Sequence, residues 1–231
     1  MTGVYRRPPM DADDRDRTTL VGAWPPFGLR IQSEHLVLRL PRDEELPALI
    51  DVARAGIHDP SEMPFGIAWS TVPSPEFERG FLQHHWAARA NWSPEKWSLT
   101  FSVELDGAPI GSQGIFATDF PVHRTVHTGS WLGQAYQGRG LGKQMRSAVL
   151  SFAFDGLGAR VAESSAFLDN DASNGVSRAL GYEDNGRGSL APQGVARETR
   201  NFRMTDANWR SRPRPPVTIE GLDACREMFG P

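Results

Sequence analysis

A glycine-rich turn at the start of a long amphipathic helix is the part of this sequence best suited to chemistry. The turn reads Gln-Gly-Arg-Gly-Leu-Gly over 137–142 and follows a β-like run that ends near Leu132. Glycines at alternate positions permit positive φ and let a ligand approach the main chain. The first N–H groups of a helix lack internal acceptors and lie at the positive end of its dipole. The pattern predicts a phosphate or pyrophosphate site, to which Lys143 and Arg146 add charge unless they are solvated.

Two common nucleotide-binding loops do not fit these residues. A Walker A motif has the spacing of Gly133 and Gly138, but Arg139 and Gly140 follow where Lys and Ser or Thr are needed. A dinucleotide motif needs a third glycine where this chain has Lys143. What remains is the pattern Gln-x-x-Gly-x-Gly, placed behind a strand and opening a helix.

This pattern resembles the acyl-coenzyme A loop of the GNAT acyltransferase superfamily. The resemblance continues through Phe-Ala-Phe-Asp-Gly-Leu-Gly at 152–158, Asn-Asp-Ala-Ser at 170–173 and Leu-Gly-Tyr at 180–182. The layout is similar to the branch that contains the ribosomal-protein N-terminal acetyltransferases and related antibiotic-modifying and succinyl-transferring enzymes. It covers about residues 34–205, with its specific motifs inside 128–182.

The resemblance implies an enzyme that moves an acyl group from acyl-CoA to a primary amine by direct attack in a ternary complex. Acetyl-CoA is the expected donor, and succinyl-CoA is the alternative. The acceptor would be a small-molecule amine or the amine of a protein or peptide. A catalytically silent acyl-CoA-binding sensor or assembly module is the competing hypothesis, because such a protein would keep the loop without turnover.

The resemblance also implies where acyl-CoA binds. A sheet that splays open beside the strand Thr125–Leu132 would leave main-chain groups for the pantetheine arm, and the pyrophosphate would lie on the amides of the glycine turn. Asn170 would bond the pantetheine arm, cap the following helix, or do both. The expected donor-binding residues are Trp131, Leu132, Gly133, Gln137, Gly138, Arg139, Gly140, Leu141, Gly142, Lys143 and Asn170.

Transfer from a thioester to an amine needs an oxyanion donor, an acid and a base. A backbone N–H near the end of the strand would stabilise the oxyanion. By the resemblance, Ser173 would protonate the departing thiolate, although a serine in a first helical turn also satisfies helix N–H groups. Many relatives have a glutamate where this chain has His127, and a neutral imidazole can accept a proton near pH 7. Glu104, Glu163 and a water-mediated route are the alternatives for the base.

The acceptor is expected between the first two helices and a β-hairpin. A loop rich in proline begins at 58 and would face that space. Met63 and Trp69 could wall an apolar pocket or only pack the loop onto the domain. The predicted acceptor-binding residues are His58, Phe65 and Gln113.

Composition argues against several other classes of protein. The chain of 231 residues carries 25 Lys and Arg against 28 Asp and Glu, for a net charge of -3. This near balance offers no electrostatic footprint for nucleic acid or a membrane surface, and no apolar run approaches the ~20 residues of a membrane span. Residues 1–10 lack the apolar segment of a signal peptide, so a cytoplasmic protein is expected.

Metal and thiol chemistry are not expected either. His123 and His127 stand four residues apart, yet no cysteine or carboxylate cluster completes a metal site. The chain has one cysteine, Cys225, which excludes an internal disulfide.

The elements that would position these residues alternate between strand and helix. Apolar alternation predicts strands at 36–40, 97–105, 109–117, Thr125–Leu132, 160–167, near 182 and at 198–204. Helical spacing predicts helices at 43–57, 77–86, 139–155 and Asp171–Leu180. A hairpin followed by alternation predicts an α/β (α+β) fold, which the resemblance identifies as the GNAT fold: one domain with a central mixed, splayed β-sheet flanked by helices.

The two ends of the chain differ from its middle. Residues 1–28 are polar and interrupted by prolines, which predicts a mobile segment pinned at most by Trp24 and Phe27. Residues 29–206 would form the acyltransferase domain. The tail, 207–231, is predicted to hold a short docking helix within 219–229 that lies on this molecule or on a neighbouring subunit, and a homodimer or higher homo-oligomer is therefore expected.

Overall fold

Alternating apolar side chains in the middle of the chain build a central β-sheet. Leu99, Phe101 and Val103 are buried on one face of their strand, as a period of two requires. In the computed structural model, which describes residues 19–230, the strands are β1 (Arg30–Ser33), β2 (Leu36–Arg39), β3 (Lys96–Leu105), β4 (Ala108–Thr118), β5 (Thr125–Leu132), β6 (Val161–Phe167), β7 (Glu183–Leu190), β8 (Arg197–Thr205) and β9 (Thr218–Glu220).

The nine strands form one mixed sheet, ordered β7-β8-β6-β5-β4-β3-β2-β1-β9. Neighbouring strands are antiparallel except β5 and β6, which are parallel and joined by a helical crossover. The predicted mixed sheet flanked by helices is therefore confirmed. The short strands β1 and β9, at one side of the sheet, have no counterpart in the sequence prediction.

Eight α-helices accompany the sheet in the described part of the chain. They are α1 (Leu20–Ala23), α2 (Leu46–Arg54), α3 (Glu76–Ala90), α4 (Phe120–His123), α5 (Leu141–Ser151), α6 (Asp171–Leu180), α7 (Asp206–Arg210) and α8 (Leu222–Cys225). A π-helical segment, Phe152–Gly156, extends α5 to the end predicted for it. Within residues 19–230, no helix is both long and apolar enough to cross a membrane.

The helices bury two apolar clusters on opposite faces of the sheet. Successive side chains of β5 alternate between them: Val126 and Leu132 enter the larger cluster with α5, whereas Trp131 packs against the smaller cluster of α2 and α3. This alternation gives β5 a face toward α5 and a face toward α2 and α3.

The sheet opens between β5 and β6. The two strands pair only over 125–127 and 161–163. Beyond that point β5 stays paired with β4, and β6 stays paired with β8. The main chain of 128–132 therefore has no strand partner on the β6 side. The predicted splay is present, and the glycine turn with α5 follows at its open end.

The C-terminal segment belongs to the same sheet and core. Strand β9 pairs with β1, and Leu222, Cys225 and Phe229 are buried in the larger cluster. Within 219–229 the structure has the short helix α8, which packs on its own chain. The apolar spacing that motivated a contact between subunits is thus used within the chain.

The N-terminal segment is described only from residue 19, so the predicted mobility of 1–18 lies outside the described residues. Residues 19–28 pack onto the domain through the two aromatic side chains expected to hold them. Trp24 meets Trp92 edge to face at 5.6 Å, and the guanidinium of Arg42 lies 4.3 Å from the ring centre of Phe27.

Candidate active site

A cleft of about 960 Å³ opens where β5 and β6 diverge. Its lining joins the two sets of residues predicted from the sequence. On one side lie the end of β5, the glycine turn and the starts of α5 and α6; on the other lies the loop that follows α2. The predicted residues that line it are His58, Phe65, Trp131, Leu132, Gln137, Gly138, Gly140, Gly142, Lys143, Asn170 and Ser173.

The glycine turn exposes the N-terminus of α5 to this cleft. Gly138 and Gly140 have φ of 72° and 79°, a left-handed conformation that side chains with a Cβ disfavour. A Cβ atom added to either glycine would meet nothing within 4 Å, so both face open space. Among the described residues no side chain caps α5. Its first N–H groups are therefore left for an anionic ligand.

Gln137 links the two sides of the cleft. Its Nε2 donates hydrogen bonds to the carbonyl oxygens of Leu132 and Ile57, each at 2.8 Å. The first bond holds the end of β5, and the second holds the residue before His58. The side chain predicted to bind the donor thus also fixes the position of the loop opposite.

The end of β5 presents its main chain and one aromatic ring. Trp131 lines the cleft, and its ring centre lies 5.9 Å from that of Trp69 and 6.3 Å from that of Phe81. The side chain of Leu132 is buried, and the N–H of Gly133 bonds the carbonyl of Ile110. What this segment can offer a ligand is mainly the backbone that faces β6, apart from the Leu132 carbonyl, which accepts from Gln137.

Asn170 and Ser173 lie at the N-terminus of α6. The Oδ1 of Asn170 accepts the N–H of Ser173 at 3.0 Å, which is an N-cap bond. That bond uses only the amide oxygen, so Nδ2 can serve a ligand in the cleft. Ser173 is half-buried and lines the cleft, where a hydroxyl can donate to a leaving group.

Four residues predicted to bind a substrate lie outside the lining of the cleft: Gln113, Gly133, Arg139 and Leu141. Gln113 is 0% exposed, and its Nε2 donates to the carbonyls of Gly114 and Gly129 at 2.9 and 3.1 Å. It lies opposite Ser130 on the face of the sheet toward α5, not toward the acceptor loop. Arg139 is exposed outside the lining, and the side chain of Leu141 is buried in the core.

His127 lies beside the cleft rather than in it. Its ring stacks on Phe116 at 5.3 Å, and its Nδ1 lies 3.6 Å from Oε2 of Glu163. The side chain is 42% exposed, at the closed end of the splay where β5 and β6 still pair. Glu104 is bound to Arg39 at 2.6 Å and also lies outside the lining.

The loop that follows α2, which the sequence predicts to bind the acceptor, is held by contacts that the sequence did not predict. Arg197 of β8 donates from Nη1 to the carbonyl of Met63 at 2.5 Å and from Nη2 to both carboxylate oxygens of Asp169 at 2.8 Å. Within the loop, Nε2 of His58 lies 2.7 Å from the hydroxyl of Ser70. No motif marks Arg197, because its partners are distant in sequence.

Arg146 departs most from its expected role as a solvated or phosphate-binding residue. It lines the cleft but is only 3% exposed. Its Nη1 donates to Ser164 at 3.0 Å and its Nη2 to Ser130 at 3.2 Å, so it bridges the two diverging strands. The available sequence signal is its position one turn before the buried residues Val149 and Leu150.

Comparisons with known proteins agree with this architecture. Residues 35–183 match the family model of the acetyltransferase (GNAT) domain, which is more than half of the chain. Mycobacterium smegmatis RimJ in complex with CoA-disulfide is similar over 87% of this chain and 94% of its own, with 18% identity and a TM-score of 0.61.

Two further structures share the fold. A GCN5-related N-acetyltransferase from Brucella melitensis matches over 78% of this chain and 80% of its own, at 19% identity and TM-score 0.62. RimL, a ribosomal alpha-N-protein acetyltransferase in complex with coenzyme A, matches over 75% and 95%, at 16% identity and TM-score 0.58. On the family match, the chain belongs to the GNAT acetyltransferase family and is an acyl-CoA-dependent N-acyltransferase.

Proposed function

We propose that this protein transfers an acyl group from acyl-CoA to a primary amine by direct attack, with both substrates in one cleft. The observation that carries the proposal is the continuity of that cleft. The glycine turn and the start of α6 line it on one side, and the loop bearing His58 and Phe65 lines it on the other. A donor and an acceptor can therefore meet at the open end of β5.

The donor is bound mainly by backbone. The N–H groups at the start of α5 receive the pyrophosphate, and Lys143 adds a positive charge in the same lining. The unpaired main chain of 128–132 runs alongside the pantetheine arm, and Nδ2 of Asn170 supplies one more donor. RimJ and RimL, whose structures hold coenzyme A or its disulfide, support this assignment by analogy.

In the chemical step, a bond forms between the amine nitrogen and the thioester carbonyl carbon as the carbon–sulfur bond breaks. The bonding pair leaves with sulfur, and one proton is lost from nitrogen and one gained by sulfur. Ser173 is the proposed acid, because its hydroxyl lies in the cleft. A thiol pKa of about 8.5 means that the leaving thiolate needs only modest assistance.

His127 is the proposed base, and its position requires water in the proton path. The imidazole lies outside the cleft lining, at the closed end of the splay. A proton from the amine would pass through water to His127, whose Nδ1 lies 3.6 Å from the carboxylate of Glu163. This route combines two of the options left open by the sequence.

The acceptor is proposed to be a primary amine in an aromatic setting: Phe65 and Trp131 line the cleft, and the ring of Trp69 contacts both. The name of RimL, a ribosomal alpha-N-protein acetyltransferase, favours a protein N-terminus over a small molecule. A cytoplasmic location and a homo-oligomeric state stay predictions.

Thiol release from acetyl-CoA and succinyl-CoA, measured against a panel of small amines and peptide N-termini, tests this function. We expect turnover with at least one amine and its loss in Ser173→Ala. Tight donor binding with no turnover across the panel would instead support the silent acyl-CoA-binding module.

A further inference from the structure

A guanidinium group is buried at the splay without an anionic partner. The two hydrogen bonds from Arg146 go to neutral hydroxyls, those of Ser130 and Ser164. Its Nε is buried and has no hydrogen-bond partner among the described residues. No ion pair joins Arg146 to a carboxylate in that part of the chain, although arginines elsewhere, such as Arg39 and Arg197, have one.

An unpaired buried charge is costly, and two hydrogen bonds to neutral hydroxyls do not neutralise it. Taking a guanidinium out of water is repaid only when an anion and further hydrogen bonds compensate it. Arginine presents a planar fork of donors that matches a carboxylate in two parallel bonds. A residue of this kind, lining a substrate cleft, indicates that a substrate supplies the missing negative charge.

The position of Arg146 indicates which substrate does so. Its partners Ser164 on β6 and Ser130 on β5 stand one and three residues beyond the last paired residues, so the guanidinium lies between the diverging strands near the vertex of the splay. A donor whose pyrophosphate rests on the glycine turn and whose arm follows β5 directs its acyl end toward that vertex. The phosphates themselves are bound at the other end of the strand.

The acceptor does not suit the role of supplying the negative charge that Arg146 lacks. Ser130 and Arg146 lie on the α5 face of β5, whereas Trp131 and the acceptor loop lie on the face toward α2 and α3. The reacting group of the acceptor is an amine, whose cationic form arginine repels. The acyl chain is therefore the part of the reaction that reaches Arg146.

We infer that Arg146 binds a terminal carboxylate on the acyl group, so that the preferred donor is the CoA thioester of a short dicarboxylic acid, such as succinyl-CoA. This inference rests on the proposed function, because it assumes that acyl-CoA occupies the cleft. The hydroxyls of Ser130 and Ser164, which now accept from the guanidinium, can rotate to donate to the same carboxylate.

The first test compares donors on the unmodified protein by titration calorimetry. Succinyl-CoA and butyryl-CoA have acyl chains of the same length but differ in the terminal carboxylate, and acetyl-CoA gives the short neutral reference. We expect succinyl-CoA to bind at least about tenfold more tightly than butyryl-CoA, since bonds to a charged group commonly contribute that much. Equal or weaker binding of succinyl-CoA would overturn the inference.

The second test removes the guanidinium. Arg146→Met should abolish the preference for succinyl-CoA while leaving acetyl-CoA affinity within about threefold, because only the former uses the charge. Arg178→Met, at an exposed arginine of α6, controls for the general loss of one positive charge and should keep the preference. If Arg146→Met still prefers succinyl-CoA, the preference arises from the overall electrostatic field of the protein, and the inference is wrong.

The outcomes separate this inference from the proposed function. If the protein acylates amines but shows no preference among donors, the proposed function holds and the role of Arg146 in binding a carboxylate is rejected. A preference for succinyl-CoA in binding, with no turnover of any amine, would retain Arg146 as a carboxylate site in a silent module. If Arg146→Met does not fold, the comparison of succinyl-CoA with butyryl-CoA on the unmodified protein decides alone.

Discussion

The two halves of the cleft differ in whether main-chain or side-chain groups line them. The half that we propose to bind the donor consists of main chain: the free edge of β5, the turn with Gly138 and Gly140, and the N-termini of α5 and α6. The half that we propose to bind the acceptor consists of side chains on a loop, among them Phe65, whose ring contacts that of Trp69. Backbone geometry suits a cofactor-like donor that does not vary, whereas side chains can be exchanged to suit an acceptor.

The halves also differ in what holds them. The donor half is continuous with the sheet, so its position follows from strand pairing. The acceptor loop depends on a few ties: Gln137 to the carbonyl of Ile57, the N–H of Gln134 to the carbonyl of Gly56, and Arg197 to the carbonyl of Met63. Substitutions in the two halves should therefore alter different kinetic constants.

The largest effect is expected at the donor half, in the chemical step. Ser173→Ala should lower kcat by about 100-fold, because proton transfer by a positioned acid is commonly of that size. The affinity for CoA should change little, since the N-cap bond of Asn170 is made to the backbone N–H. Steady-state kinetics with calorimetry separates the two quantities. An unchanged kcat would remove Ser173 as the acid and leave it a first-turn helix residue.

The second prediction tests the claim that backbone binds the donor. Gly140→Val should weaken CoA binding by roughly 10- to 100-fold, because a β-branched residue is strained at a φ of 79° and would cover the amides. A steric clash within the protein is not the reason, since a Cβ added to Gly140 meets nothing within 4 Å.

Gly80→Ala is the matched control for that substitution. Gly80 also has nothing within 4 Å of an added Cβ, but it lies in α3 without a positive φ. It should leave CoA affinity unchanged. Equal CoA affinity in Gly140→Val and Gly80→Ala would show that the glycine turn does not bind the donor.

The contrast between the main-chain half and the side-chain half of the cleft also explains what could be predicted from the sequence. Strand β5 and helix α6 have the predicted bounds, and the glycine turn lies where expected, because alternation, caps and positive φ are local properties. Gln113 and Arg146 were placed incorrectly by the same reasoning. Whether a polar side chain enters a core or a cleft depends on strands that pair over long separations.

Arg197 shows the limit most clearly. Its carbonyl partner, Met63, is 134 residues away in the sequence. The short strands β1 and β9 were not predicted for a similar reason, since each is defined by the strands it pairs with rather than by its own few residues. Local sequence patterns thus predict the donor half of the cleft, but they do not predict the long-range hydrogen bonds that hold the acceptor half.

A third prediction concerns the layer beneath the acceptor half. Burial lowers the pKa of His85, on α3, to about 3, with His84 and Arg89 adding to the effect. The unfolded chain takes up this proton near pH 6.5, so between those values the unfolded state binds more protons and stability falls as pH falls. At pH 5 the loss from this group is roughly 2 kcal/mol.

Denaturant unfolding at pH 7 and pH 5 measures that loss. His85→Leu should reduce the difference between the two pH values, whereas His123→Gln, at an exposed histidine, should leave it intact. An equal loss of stability on acidification in the wild-type and His85→Leu proteins would assign the acid sensitivity to other groups.

The smallest effect should come from loosening the acceptor loop alone. Arg197→Met removes the bonds to the carbonyl of Met63 and to Asp169, so the loop samples more conformations and pays ordering entropy on binding. We expect the KM for the amine to rise about fivefold, with CoA affinity changed less than twofold, because partly exposed ion pairs contribute about 1 kcal/mol or less. Arg200→Met is the matched control: Arg200 lies on the same strand and pairs with Asp184 at 2.6 Å, away from the cleft. If Arg197→Met weakened the binding of CoA as much as the binding of the amine, the bond from Arg197 to Asp169 would also hold the neighbouring Asn170 in place. The two halves of the cleft would then behave as one unit, and not as a fixed donor site that faces an adjustable acceptor site.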